Sequence, residues 1–326
     1  MIEGHGDDLY RYNNIKMNFS SNIYNGTDLS ALDAYLCTRM PAIRSYPEPS
    51  AASLEHMIAH HNGISPDEVL VTSGAVDAIY LIAQAYRHEG TCRILKPTFR
   101  EYEDASRVFG YRESEDGALC WLCNPNNPTG DVVAVKDVLA LAERHRLLIV
   151  DQSYEDHTMA PLLAPADIVG RNDIILLHSM TKRYAVPGLR LGYITASAAV
   201  IRHLREQYRP WAINALSLVA GKWLVSHEAI AIQDLPSYLA ETQRLRTMLN
   251  EIDGIETFDT QTNFFLCTIR QATAAQLKEY LAREHGILIR DASNFTGLTP
   301  HHFRIATQSP TENDALVDAI QRFIAR

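Results

Sequence analysis

The stretch from Leu176 to Ile194, LLHSMTKRYAVPGLRLGYI, passes from aliphatic residues to a single lysine, Lys182, and then through a Pro-Gly turn to Arg190 inside an otherwise apolar segment. An apolar run that ends in polar residues is the pattern of a strand buried on both faces, with ligand-binding groups at its carboxyl end. Upstream, from about Glu68, the pattern repeats. EVLVTSG, CRILK, ALCWLCN, LLIVDQSY and DIILLHS read as short buried strands, and AVDAIYLIAQAYRH, REYEDASRVFG and VKDVLALAERHR as the amphipathic helices between them. Alternation of this kind indicates an α/β fold built on a mostly parallel sheet covered on both faces.

After Pro210 the character changes to a long helical region with an interruption expected at Pro236, followed by a smaller α+β lobe containing NFFLCTI, ILIR and HFRIAT as strands. The first forty residues show little periodicity and are expected to pack on that lobe. The expected division is a large domain over 41–215 and a small domain made of 1–40 and 216–326. The 326 residues, 46% hydrophobic and 21% charged, suffice for both. A net charge of -9 without any block of like charges argues against a nucleic-acid partner. No apolar run reaches membrane-span length and the first residues lack a signal-peptide layout, so a cytoplasmic protein with no membrane partner is expected. Among the five cysteines, Cys120 and Cys123 form a C-x-x-C inside a buried strand with no second pair, so no metal site is expected.

The strand ends hold most of the chemistry. Ser73, Gly74 and Ala75 form a small-residue turn into a helix, where backbone N–H groups can face a phosphate, although such residues also suit any tight turn. CNPNNPTG offers the amide of Asn127. LLIVDQSY ends in Asp151, a carboxylate that requires a cationic partner if buried, with Tyr154 three positions on. Ser179, Thr181, Lys182 and Arg190 complete the rim. A pyridine ring bearing an aldehyde, a hydroxyl and a phosphate would use all of these groups.

The motifs NPNNPTG, VDQSY, HSMTKRYAVPGLRLGY and FRIAT, in that order and spanning nearly the whole chain, resemble the fold-type I pyridoxal-phosphate enzymes of the class I/II aminotransferase group. The resemblance implies a seven-stranded sheet in the large domain and pyridoxal 5'-phosphate as cofactor. It implies that Lys182 forms the Schiff base, that Asp151 keeps the pyridine nitrogen protonated, and that Asn127 and Tyr154 bond the ring's phenolic oxygen. Gly74, Ala75, Ser179 and Arg190 would hold the phosphate, and Phe99 in KPTFREY would stack on the ring. Tyr46 in RSYPEPS would reach a phosphate across a homodimer interface, and Arg304 would grip the substrate α-carboxylate. Gln152 stands where the family has an acidic residue.

Four further segments, GHGDD, NFSSNI, YRPWAINALSLVAG and ILIRDASNFTGL, resemble the L-threonine O-3-phosphate decarboxylases of cobalamin biosynthesis more than the related histidinol-phosphate aminotransferases. This implies that Arg304, Arg290, Asn22 and His5 handle the carboxylate and phosphate of a small phosphorylated amino acid, while Trp211 and Asn214 line or brace the pocket. The chain has HGD where those enzymes have HGG. Two alternatives stay open: an aminotransferase acting on histidinol phosphate or a similar amino acid, and a non-catalytic pyridoxal-phosphate sensor. A sensor would need a basic DNA-binding part that this sequence lacks.

Overall fold

The computed structural model describes residues 8–227 and 234–326. After a short strand β1 (Met17–Asn18) come the seven strands of the large sheet: β2 (Val69–Thr72), β3 (Thr91–Ile94), β4 (Arg112–Glu113), β5 (Leu119–Cys123), β6 (Leu147–Asp151), β7 (Ile174–His178) and β8 (Gly192–Thr195). Their order is β2-β8-β7-β6-β5-β3-β4. Every neighbouring pair is parallel except the two that involve β8, which runs against both β2 and β7. This is the mostly parallel α/β sheet that the sequence predicts. The reversed strand β8 escaped the sequence reading because it follows a Pro-Gly turn and begins on Gly192.

Side-chain alternation divides the core into layers. Leu119, Trp121, Cys123, Leu147, Ile149, Ile175 and Leu177 enter one apolar cluster, while Cys120, Leu122, Leu148, Val150, Ile174 and Leu176 enter another. Helices Ala75–Ala85 and Glu101–Val108 pack into the first through Ile79, Ile82, Tyr102 and Ala105; helix Val135–Ala142 packs into the second through Val138 and Ala142. Each fully buried Leu, Ile or Val contributes roughly 1.5–3 kcal/mol, which is why both faces are covered. Cys120 and Cys123 fall in different clusters, so the C-x-x-C thiols serve as core side chains on opposite faces.

In the small sheet, β10 (Phe264–Ile269) lies between β9 (Ile255–Thr257) and β13 (His302–Ala306), and β12 (Arg290–Asp291) pairs with the outer edge of β13; all pairs are antiparallel. β11 (Ile287–Leu288) pairs in parallel with β1, bringing residues 17–18 onto this lobe. Helices Leu235–Asn250, Ala274–Tyr280 and Pro310–Ile324 cover it through Leu245, Leu277 and Leu316, around Phe19, Phe265 and Phe303. The long helical region is divided into Ala215–Ser226 and Leu235–Asn250, and Pro236 stands at the start of the second helix rather than inside one. It lies in the first turn of Leu235–Asn250, where its missing N–H has no intrahelical partner to lose, next to Asp234, which accepts from the Ser237 N–H at 3.1 Å. Helices Ser30–Arg39 and Ala215–Ser226 share a cluster with Val69 and Val71 through Leu32, Leu218 and Leu224. Both helices, which the 41–215 division assigns to the small domain, thus share an apolar cluster with a strand of the large sheet. Among the described residues no helix is long and apolar enough to cross a membrane, and no His/Cys/Asp/Glu group could hold a metal ion.

The two lobes meet tightly at Gly130 (φ +80), where an added Cβ would lie 2.7 Å from the Phe264 carbonyl and would also strike the Thr260 hydroxyl. Gly130→Ala is expected to lower stability by roughly 2 kcal/mol or more, from the left-handed backbone and the overpacking together. Equilibrium urea unfolding of the variant beside the parent protein checks this.

Candidate active site

A cavity of about 410 Å³ opens between the carboxyl ends of the large sheet and the edge formed by β12 and β13. Asp151, the last residue of β6, lies at its floor and is 3% exposed. Its Oδ2 accepts from the Tyr102 hydroxyl at 2.7 Å and its Oδ1 from the Ser153 N–H at 2.9 Å. Burial pushes the carboxyl up from its ordinary range, and the Ser153 and Tyr102 bonds with nearby His178 hold it back. Its hydrogen-bond partners among the described residues are neutral donors. A carboxylate held this way at a cavity wall suits a protonated ring nitrogen.

Lys182 follows β7 on the short helix Met180–Arg183, and its Nζ donates to the Ser21 carbonyl at 2.7 Å while standing 5.9 Å from the centroid of the Tyr154 ring. Because β8 is reversed, its beginning returns to this rim. Thr72 pairs with Gly192, which brings Arg190 (φ 50) beside Gly74 at the start of helix Ala75–Ala85. A Cβ at Gly74 would lie 2.7 Å from Arg190 Nη2, so only glycine leaves the guanidinium and the helix amides close together. Ala75, Ser179 and Arg190 all line the cavity, a cradle that suits a phosphate. Phe99 lines it as well and meets Tyr102 edge-on, with ring centroids 5.9 Å apart.

The opposite wall is cationic. Antiparallel register sets Arg290 directly across from Arg304, and both are buried in the cavity lining. Arg304 donates to the side-chain oxygen of Asn127 and to the Ser20 carbonyl, and lies 5.6 Å over the Phe264 ring. Burial, with Arg290 adding to it and Tyr154 opposing it, pushes Arg304 down to about 10, so it stays charged at neutral pH. Burial also lowers Arg290, whose Nη2 donates to Asn294 Oδ1 at 2.8 Å. Two adjacent buried guanidiniums suit an anionic ligand.

Tyr154 is buried, and its hydroxyl accepts from Asn22 Nδ2 at 3.2 Å; burial pushes its pKa up to about 12. Asn22 does not line the cavity and acts through Tyr154, while its own buried Oδ1 has no hydrogen-bond partner. Gly74 likewise reaches the cavity only through Ala75 and Arg190. Tyr46 is 87% exposed and lies away from the cavity, in a separate cleft with Trp211, 5.6 Å between ring centroids. Trp211 and Asn214 belong to that cleft rather than to the pocket they were expected to line; Asn214 caps helix Ala215–Ser226 by accepting from the Ser217 N–H. His5 lies outside the described residues. Tyr102, Cys123, Phe295 and the carbonyls of Ser20 and Ser21 enter the site unpredicted. Of these only Tyr102 left a sequence signal, an aromatic residue three positions after Phe99 at the start of a helix.

His157 is buried edge-on to Tyr154, with 6.0 Å between ring centroids, and neither ring nitrogen is hydrogen-bonded. Burial, and then Lys182, push its pKa down to about 3 from an ordinary 6.5. Between these values the unfolded chain binds a proton that the folded one does not. Stability therefore falls as pH drops through this window, by up to roughly 1.4 kcal/mol per pH unit from this group. Denaturation midpoints of His157→Phe from about pH 7 to about pH 4 are expected to show a shallower acid-side slope than the parent protein.

The profile of the family described as Aminotransferase class I and II matches residues 110–320. The crystal structure of L-threonine-O-3-phosphate decarboxylase from Porphyromonas gingivalis superposes with a TM-score of 0.91 at 36% identity, covering 95% of this chain and 100% of that one. The threonine-phosphate decarboxylase of Salmonella typhimurium is 27% identical over 94% of this chain and 91% of its own length. The histidinol-phosphate aminotransferase of Caldanaerobacter subterraneus is 29% identical over 87% and 85%. Joined to a carboxylate, a lysine and a phosphate cradle on one rim, these matches make the chain a member of the class I and II aminotransferase family, with pyridoxal phosphate as its cofactor.

Proposed function

We propose that the chain is a lyase that decarboxylates L-threonine O-3-phosphate to (R)-1-amino-2-propanol O-2-phosphate and carbon dioxide, a cytoplasmic homodimer serving cobalamin biosynthesis. The observation that carries this reading is the cross-strand pair Arg290 and Arg304, two buried cations in the lining of one cavity. A substrate with both a carboxylate and a phosphate ester carries anionic charge that suits such a pair. The likeness to the Porphyromonas gingivalis decarboxylase supports the same choice.

When bound, pyridoxal phosphate supplies a ring that accepts the electron pair left as a bond to the substrate Cα breaks. Asp151 holds a proton at the ring nitrogen. Tyr154, protonated throughout the neutral range, donates toward the phenolic oxygen together with the Asn127 amide, whose own oxygen is turned to Arg304. Gly74, Ala75, Ser179 and Arg190 would hold the cofactor phosphate, and Phe99 would pack on its ring. Arg304 exchanges its neutral acceptors, Asn127 and the Ser20 carbonyl, for the substrate carboxylate. Arg290, with His5, receives the substrate phosphate, while Asn22 acts through the Tyr154 hydroxyl. Lys182, on its flexible stem, returns a proton to Cα after carbon dioxide leaves. Tyr46, exposed beside Ile43 and Trp211 in an apolar cleft, reaches the phosphate cradle of a second copy of the chain.

A second reading, an aminotransferase acting on histidinol phosphate or a similar amino acid, draws on the 29% identity to the Caldanaerobacter aminotransferase. In that case Lys182 would carry the Cα proton away instead of returning one. Incubating cofactor-loaded protein with L-threonine O-3-phosphate separates the two: steady carbon dioxide release without a 2-oxo acid is expected. Turnover only when histidinol phosphate and 2-oxoglutarate are supplied would overturn the lyase reading.

Lys182→Ala is expected to abolish turnover in the same assay. Arg290→Ala should raise KM for the phosphorylated substrate by roughly 10- to 100-fold, the loss of one charge-assisted contact, with a smaller effect on kcat.

A further inference from the structure

We propose that Tyr102 is a positioning residue for the cofactor's ring nitrogen, acting through the carboxylate of Asp151. Tyr102 is fully buried, with its ring stacked on Trp121 (centroids 5.4 Å apart, 13° between planes) and set edge-on to Phe99. Packing on two sides leaves the phenol ring no alternative orientation, so its hydroxyl is aimed at Asp151 Oδ2 at 2.7 Å. The Ser153 N–H fixes the other oxygen at 2.9 Å. One donor on each oxygen locks the carboxylate plane in a cavity wall where bulk water cannot stabilise its charge.

The consequence concerns where a shared proton resides. A donor to a carboxylate stabilises its charged form and lowers its basicity. Removing the Tyr102 hydroxyl therefore makes Asp151 the stronger base of an Asp151 and ring-nitrogen pair, and the proton moves from nitrogen toward carboxylate. The other titratable groups that act on Asp151 or are acted on by it are His178, Cys123 and Tyr154. His178 is held between Glu155 and Thr195, and Cys123 is turned to the Pro125 carbonyl at 3.2 Å. Neither donates a hydrogen bond to Asp151 in this arrangement; the side chains that bond it and lower its basicity are Ser153 and Tyr102, and Tyr102 is the one aimed at Oδ2.

The test is the nitrogen-15 resonance of the protein loaded with [15N]pyridoxal phosphate, recorded with no amino acid present. Tyr102→Phe is expected to move the signal downfield, toward the unprotonated value, and to lower kcat for L-threonine O-3-phosphate about tenfold while KM stays within about twofold. In an Asp151→Asn background the same change should leave the resonance where it is. No displacement in the Asp151 protein, or an equal displacement in both backgrounds, overturns the proposal. If Tyr102→Phe does not fold, Trp121→Phe, which keeps the hydroxyl but frees the ring, should move the signal the same way by a smaller amount, and its failure to do so is equally decisive. The inference rests on the cofactor and not on the substrate, so inactivity toward threonine phosphate leaves the nitrogen result standing.

Discussion

Groups of opposite charge are held out of water in the lining of one cavity: Asp151 at the end of β6, and Arg290 with Arg304 on β12 and β13. Neither set is neutralised by the other. Asp151 is stabilised by a phenol and a backbone amide, and Arg304 by an amide oxygen and a carbonyl. Asp151 and Arg304, supported by such dipoles, remain available to ligands of opposite sign, at an energetic cost met by the rest of the fold. The continuous apolar layers beneath the rim meet it and keep these groups fixed.

The two sets come from different sheets, so their separation depends on the seam between lobes. Residues Phe19 to Asn22 form much of that seam. The Phe19 N–H donates to the Leu288 carbonyl at 2.8 Å, and its own carbonyl accepts from the Ala306 N–H at 2.9 Å. The next two carbonyls receive Arg304 and Lys182, and the Asn22 side chain reaches Tyr154. Asn22 adopts φ 56, a left-handed conformation that asparagine tolerates better than most residues.

The sequence exposed the large sheet clearly because strands buried on both faces read as unbroken aliphatic runs and end in polar residues. Asp151, Asn127, Ser179, Lys182 and Arg190 were legible for that reason, and the cavity gathers all of them. Arg290 and Arg304 were legible as arginines in apolar strands, but their adjacency depends on a register between β12 and β13 that pattern alone does not fix. What stayed hidden has no side-chain signature: the carbonyls of Ser20 and Ser21, and the reversal of β8. Helix Ala215–Ser226 is apolar enough to be read with either lobe, and its membership of the apolar cluster that holds Leu32 and Val69 leaves no trace in the sequence pattern. Trp211 and Asn214 were drawn to the pocket by likeness, whereas local backbone geometry turns them to another cleft.

The seam also bears on how the chain is made. Arg304 binds the carbonyl of a residue 284 positions earlier, and β1 pairs with β11 across nearly the same interval. A chain emerging from the ribosome can fold its large sheet early, but β1 lacks its strand partner and the Ser20 carbonyl its guanidinium until residues 287–304 have been synthesised. The cationic wall of Arg290 and Arg304 is therefore added after the rim that carries Lys182 and Asp151.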